Sequence, residues 1–268
     1  MAYVAANGIR MHVQRMPAKA PAPDGRRPRV VFIHGVGTDS LASFYLTLAA
    51  PAANAGIEVI SYDLRGHGRS DRPPTGYTVA DAVDDLTALL AELGVDGHIH
   101  LVGNSFGGTV AFSFAQRFPD RVASLVAIES EPATESWSRK IADRLGEGMD
   151  KLVKPEVLSW IQDNHGSHMS RLGKAFGQVL VTTTITRDVP RGPLLTRADL
   201  AAIRCPVLAV FGAESHVVDV ADTLPELLPG CRIEIIPGYE HGVLMQAPQV
   251  VRDLVLPWIL RHEPAEIR

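Results

Sequence analysis

The chain has 268 residues, 46% of them hydrophobic and 21% charged, with a formal net charge of −4. That length suits one larger domain or a domain carrying an insertion, and the balance is that of a globular protein, neither disordered nor fibrous. No basic run is present that could track a phosphate backbone, which argues against nucleic acid as a partner.

The first residues lack the basic and apolar regions of a signal peptide, and no stretch is apolar and long enough to cross a bilayer. A cytoplasmic protein without a membrane partner is therefore expected. Asn7-Gly8, flanked by apolar residues, predicts a hairpin over residues 3–13. Residues 16–29, rich in Pro, Ala and Arg, read as a surface loop. Strand-like runs and helical patterns then alternate. Strands are predicted over 30–33, 57–62, 98–102, 122–128, 206–211 and 232–236. A helix over 78–93 opens on a capping-box-like pair, Thr78 and Asp81, and places Val79, Val83, Leu86, Leu90 and Leu93 on one face. A second helix runs over 106–118 to Pro119, and a closing helix over 250–260 is expected to break near Pro257. Such alternation implies a mostly parallel sheet covered on both faces, with ligands bound beyond the carboxyl ends of its strands.

Residues 132–196 interrupt this rhythm. They hold Trp137, Trp160, Met149, Met169 and Phe176 in helix-like surroundings and read as a helical insertion over the sheet. Cys205 and Cys231 each precede an apolar run. Without export signals, two free buried thiols are expected rather than a disulfide.

Three segments carry chemistry. Gly103-Asn-Ser-Phe-Gly107 fits G-x-S-x-G and lies between a strand and a helix. A sharp turn there needs small neighbours around Ser105 and lifts its hydroxyl clear of the sheet, in front of a helix N-terminus that favours negative charge. Ser105 is the candidate nucleophile. His34-Gly35-Val36-Gly37 follows an apolar strand, and the backbone N–H of Val36 can pair with that of Phe106 to hold an oxyanion. His241, on the loop after the last strand, is the candidate general base. His98 and His100 share one side of a predicted strand, and His165 and His168 are close, but no third and fourth ligand gives zinc-like spacing. No G-x-G-x-x-G follows a strand, so neither metal nor dinucleotide is expected. Residues 63–70 are Gly- and Arg-rich but lack the Lys-Ser/Thr of a phosphate loop and read as structural.

These segments together resemble the α/β-hydrolase superfamily, and they span essentially the whole chain: His34-Gly35, Asp63-Leu-Arg-Gly-His-Gly-Arg-Ser70, Gly103-Asn-Ser-Phe-Gly-Gly108 and Pro237-Gly-Tyr-Glu-His241. The resemblance implies a mostly parallel eight-stranded α/β sheet with a helical cap after the sixth strand, so that residues 1–131 and 197–268 form the core and 132–196 the cap. Asn104 before the serine is similar to hydrolases that cleave carbon–carbon bonds in ring-fission products, although the Trp expected next to that family's His is missing here.

One position departs from the pattern. Where the family carries its acid, this chain reads Gly212-Ala-Glu-Ser-His-Val-Val-Asp219, with Ser215 and His216 in place of the Asp. A triad still needs an anion to fix the His tautomer. Glu129, at the end of the sixth predicted strand, is the first candidate, with Glu214 and Asp219 as alternatives. The expected reaction is acyl transfer to water through an acyl-enzyme, on an ester, thioester, lactone or carbon–carbon bond next to a carbonyl, with a small-molecule substrate and no cofactor. The displaced acid also leaves open a cofactor-independent lyase or cyclase acting on a natural-product intermediate, and the fold leaves open a small-molecule receptor. Turnover of simple acyl esters separates these readings.

Overall fold

A computed structural model of the protein describes residues 2–22, 25–152 and 154–264. The predicted hairpin forms from β1 (Ala2–Ala6) and β2 (Ile9–Met16), which pair antiparallel. Its turn places both Asn7 (φ 48°) and Gly8 (φ 75°) in the left-handed region, the requirement of a two-residue turn whose twist matches its strands.

Six further strands complete one sheet: β3 (Arg29–Ile33), β4 (Glu58–Tyr62), β5 (Ile99–Asn104), β6 (Val122–Ile128), β7 (Val207–Gly212) and β8 (Arg232–Ile236). The order across the sheet is β1-β2-β4-β3-β5-β6-β7-β8. β2 joins β4 antiparallel, and every pairing from β4 to β8 is parallel. Every residue of β6 and of β7 is buried, as a parallel strand covered on two faces demands. The sheet is thus eight-stranded and mostly parallel.

Two apolar layers cover it. On one face lie α1 (Val79–Glu92) and α2 (Phe106–Arg117), burying Val83, Leu86, Leu90, Val110 and Phe114. Thr78 and Asp81 form the predicted reciprocal cap of α1. On the other face, a helical run over residues 42–54 packs Phe44, Leu48 and Ala52 in one cluster with Val251, Val255 and Trp258 of the closing helix, Pro248–Arg261. That helix does not break at Pro257. Pro257 faces solvent, where a lost backbone hydrogen bond is replaced by water, while Val255, Trp258 and Ile259 anchor both sides of it in the core.

The segment between β6 and β7 is helical. It contains α3 (Glu135–Leu152) and α4 (Pro155–Thr182), the latter kinked at Gly166 (φ 84°). Val153, inside the insertion, lies outside the described residues. The 63–70 stretch is a buried structural loop. Asp63 accepts from the N–H groups of Leu41 (2.8 Å) and Arg69 (2.9 Å) and pairs with His12 at 2.7 Å, while Arg65 grips Asp85 with two nitrogens.

Two smaller expectations need correction. β5 begins at Ile99, so His98 precedes the strand and is exposed, whereas His100 is fully buried between Ser124 (2.8 Å) and Glu263 (2.7 Å). Cys205 and Cys231 are free but only half-buried, since each lies just before its strand; burial still pushes both thiols up to about 12. Trp160 lies in a helix, as its surroundings suggest, and is exposed against His165. Among the described residues, no helix is long and apolar enough to cross a membrane.

Candidate active site

The carboxyl ends of β5, β6 and β7 are locked together by their backbones. The N–H of Ser105 donates to the Ile128 carbonyl at 2.8 Å, and the N–H of Glu129 donates to the Val210 carbonyl at 2.8 Å. Ser105 (φ 51°) and Glu129 (φ 52°) are both non-glycine residues in the left-handed region, a conformation that surrounding structure must impose. Around Ser105 the constraint is steric. A Cβ at Gly103 would stand 2.3 Å from the backbone of Gly107 and Gly108, and one at Gly107 would stand 2.0 Å from the Ile33 carbonyl oxygen. The motif's glycines therefore answer to close backbone approach, and α2 begins immediately behind the serine.

The structure brings three of the candidate residues into one hydrogen-bonded line. With its ring proton on Nδ1, His241 accepts from the Ser105 hydroxyl through Nε2 at 3.1 Å and donates to Glu129 Oε2 at 3.1 Å. Glu129 is buried and receives two further donors, the Gly212 N–H on Oε1 and the Ser215 hydroxyl on Oε2. The residue standing where an Asp was expected therefore hydrogen-bonds the carboxylate that came from the neighbouring strand. Among the described residues the other two candidates make no such contact. Glu214 is exposed, and Asp219 is engaged by Lys140 at 3.2 Å.

Val36 and Phe106 also lie at the site. Neither backbone N–H has a protein acceptor among the described residues, so both are available to an incoming oxygen. Asp39 shapes that loop: its Oδ2 accepts the Gly35 N–H at 2.7 Å and the Asn104 side-chain amide at 3.3 Å. His216 stacks on His241 with ring centroids 4.2 Å apart. Burial, reinforced by the neighbouring His241, pushes His216 down to about 4, so it is neutral at neutral pH.

A cavity opens directly on this line. Ser105, Glu129 and His241 form one side; Trp137, Lys140 and Arg144 of α3 form the other. Trp137 is buried and stacks on Phe106 with centroids 6.3 Å apart. A second, apolar cavity lined by Val36, Leu64, Tyr77, Ile185 and Val189 shares Phe106 with the first. Lys140, Arg144, Asp39 and the Ser215–Glu129 contact carry no motif in the sequence. The only signal available was the vacancy of the usual acid position at Ser215 and His216.

Known proteins give the same picture of the fold. Residues 28–161, half of the chain, match the family model described as alpha/beta hydrolase fold. The chain is 28% identical over 254 residues to a 2-(acetamidomethylene)succinate hydrolase of Mesorhizobium japonicum, covering 88% of this chain and 89% of that one. Among solved structures, a carboxylesterase of Nitrososphaera gargenis superposes with a TM-score of 0.79 at 19% identity, covering 96% of this chain and 97% of that one. The enol-lactonase of Burkholderia xenovorans LB400 superposes with a TM-score of 0.69 at 18% identity, covering 96% and 99%. These relatives and neighbours are hydrolytic enzymes.

Proposed function

The chain belongs to the α/β-hydrolase fold family of enzymes, and from that premise we propose that it is a serine hydrolase working through an acyl-enzyme. Ser105 is the nucleophile, His241 the general base and then general acid, and Glu129 the anion that fixes the imidazole tautomer and stabilises the imidazolium. As the Ser105 oxygen adds to the substrate carbonyl, its proton passes to His241 Nε2. The oxyanion that forms takes hydrogen bonds from the N–H groups of Val36 and Phe106. His241 returns the proton to the leaving group, and water, activated by the same imidazole, releases the acyl group from Ser105. The bonds open to this route are an ester, a thioester, a lactone, or a carbon–carbon bond next to a carbonyl.

The observation that carries the reading is the unbroken line from Ser105 Oγ through His241 to Glu129, with both links at 3.1 Å. The two unengaged N–H groups beside it support the oxyanion assignment. The helices of residues 132–196 act as a cap that selects substrates, because α3 supplies one side of the cavity. The experiment is turnover of short aryl esters. Wild-type protein hydrolyses them and Ser105→Ala loses about 10⁶ in kcat. Unchanged turnover in Ser105→Ala contradicts the assignment.

A further inference from the structure

α3 carries four cations: Arg139, Lys140, Arg144 and Lys151. Carboxylates hold three of them. Arg139 pairs with Glu135 at 3.0 Å and Lys151 with Glu147 at 2.8 Å, each one helical turn away. Lys140 lies between Glu131 at 3.3 Å and Asp219 at 3.2 Å. Arg144 has no carboxylate within ion-pair distance among the described residues, yet its side chain lines the cavity that holds Ser105 and His241. Helical spacings of three and four put Trp137, Lys140 and Arg144 on one face, so α3 presents them to the cavity together.

An arginine keeps its charge throughout the physiological pH range. Arg144 is solvent-exposed at the edge of that cavity and only partly desolvated there, and Glu131, Asp219 and Glu147 favour its charge from beyond contact distance. A guanidinium at the cavity edge with no carboxylate in contact can turn its donors to an anion entering the cavity. Its planar fork matches a carboxylate with two parallel hydrogen bonds. The acids already present do not repel that anion strongly. Glu131 shares the Lys140 cation with Asp219, and burial raises its hold on a proton. Glu129 is covered by the Gly212 N–H, the Ser215 hydroxyl and His241.

We propose that the cavity beside Ser105 takes substrates that carry a carboxylate, and that Arg144 is the specificity residue that reads it. The proposal rests on the serine-hydrolase reading above.

Two matched esters test it, the p-nitrophenyl monoester of glutaric acid and neutral p-nitrophenyl pentanoate. Wild type prefers the glutarate monoester. Arg144→Gln lowers its kcat/KM by about tenfold to a hundredfold, mainly through KM, and leaves the pentanoate ester unaffected. Arg144→Lys retains part of the preference, and Arg139→Gln, whose partner is Glu135, changes neither substrate. A wild type that hydrolyses pentanoate without preferring glutarate, or an Arg144→Gln variant that loses both substrates equally, overturns the proposal and leaves the hydrolase reading intact. Calorimetry of glutarate binding to Ser105→Ala is independent of turnover. Binding is expected, and adding Arg144→Gln should abolish it. If neither ester is hydrolysed but glutarate binding depends on Arg144, the hydrolase reading falls and the carboxylate site stands. Glutarate binding that is absent, or indifferent to Arg144, overturns the site.

Discussion

The strand ends and the inserted helices face the same cavity but are held in place by different forces. At the strand ends the backbone dictates position. Ser105 and Glu129 are each tied to a neighbouring strand through the main chain, and the glycines around Ser105 leave no room for another arrangement. α3 is anchored by side chains instead. Of its residues only Trp137 and Leu145 are buried, and its ties include the packing of these two with Ile141 and Leu152 in the apolar cluster, the Trp137–Phe106 stack, the Ser138 hydroxyl on the Pro190 carbonyl, and the Lys140 ion pairs. Under the proposed function, the difference would separate reaction from selection. In the proposed mechanism the groups that would move protons sit on strand ends tied through the main chain, and those that would meet the variable part of a substrate sit on a helix face.

The largest effect expected from this contrast lies at Glu129. Glu129→Gln keeps the shape but removes the anion that fixes the His241 tautomer, and kcat/KM should fall on the order of 10⁴-fold. Glu214→Gln and Asp219→Asn should stay near wild type, because neither carboxylate reaches His241. A large loss in either of those variants, with Glu129→Gln active, would move the acid off β6 and break the comparison. Ser215→Ala removes one hydrogen bond to the Glu129 carboxylate while its Gly212 and His241 contacts remain. A loss of about tenfold in kcat with KM unchanged is expected, since a hydrogen bond to a charged group contributes about 1.5–3 kcal/mol and the remaining donors compensate in part. Ser215→Thr, which keeps the hydroxyl, should recover most of the rate.

The sequence revealed most where local sterics dictate residue type. A strand-to-helix turn as tight as the one at Ser105 tolerates little besides glycine on either side, so Gly103 and Gly107 announce it without a structure. The Asn7-Gly8 turn and the Thr78/Asp81 cap were legible for the same reason: backbone conformation selects the residue. Glu129 was visible only indirectly, through the missing Asp at Ser215. The carboxylate's place depends on the parallel register of β6 and β7, which no short segment encodes. The cavity face of α3 was hidden altogether. The rotation of an inserted helix about its axis is set by tertiary contacts, so Trp137 and the exposed Trp160 looked alike on the sequence. The break expected at Pro257 is absent because a proline's tolerance depends on which side of the helix meets water.

The smallest effects belong to the selecting layer. Trp137→Ala opens the cavity beside Ser105 and should shift preference among acyl chain lengths by several-fold, as expected when an apolar pocket gains room for a methylene or two. Trp160→Ala should leave both rate and preference unchanged. Equal effects of the two substitutions would show that α3 and α4 act as one undivided packing unit.

The most direct test of the account is the intact mass of the protein after reaction with a fluorophosphonate, followed by peptide mapping. The account predicts a single added phosphonyl group, carried on Ser105, absent from Ser105→Ala and formed far more slowly in His241→Ala. Labelling that persists in Ser105→Ala, or a wild type that takes up no label while remaining folded, would contradict it.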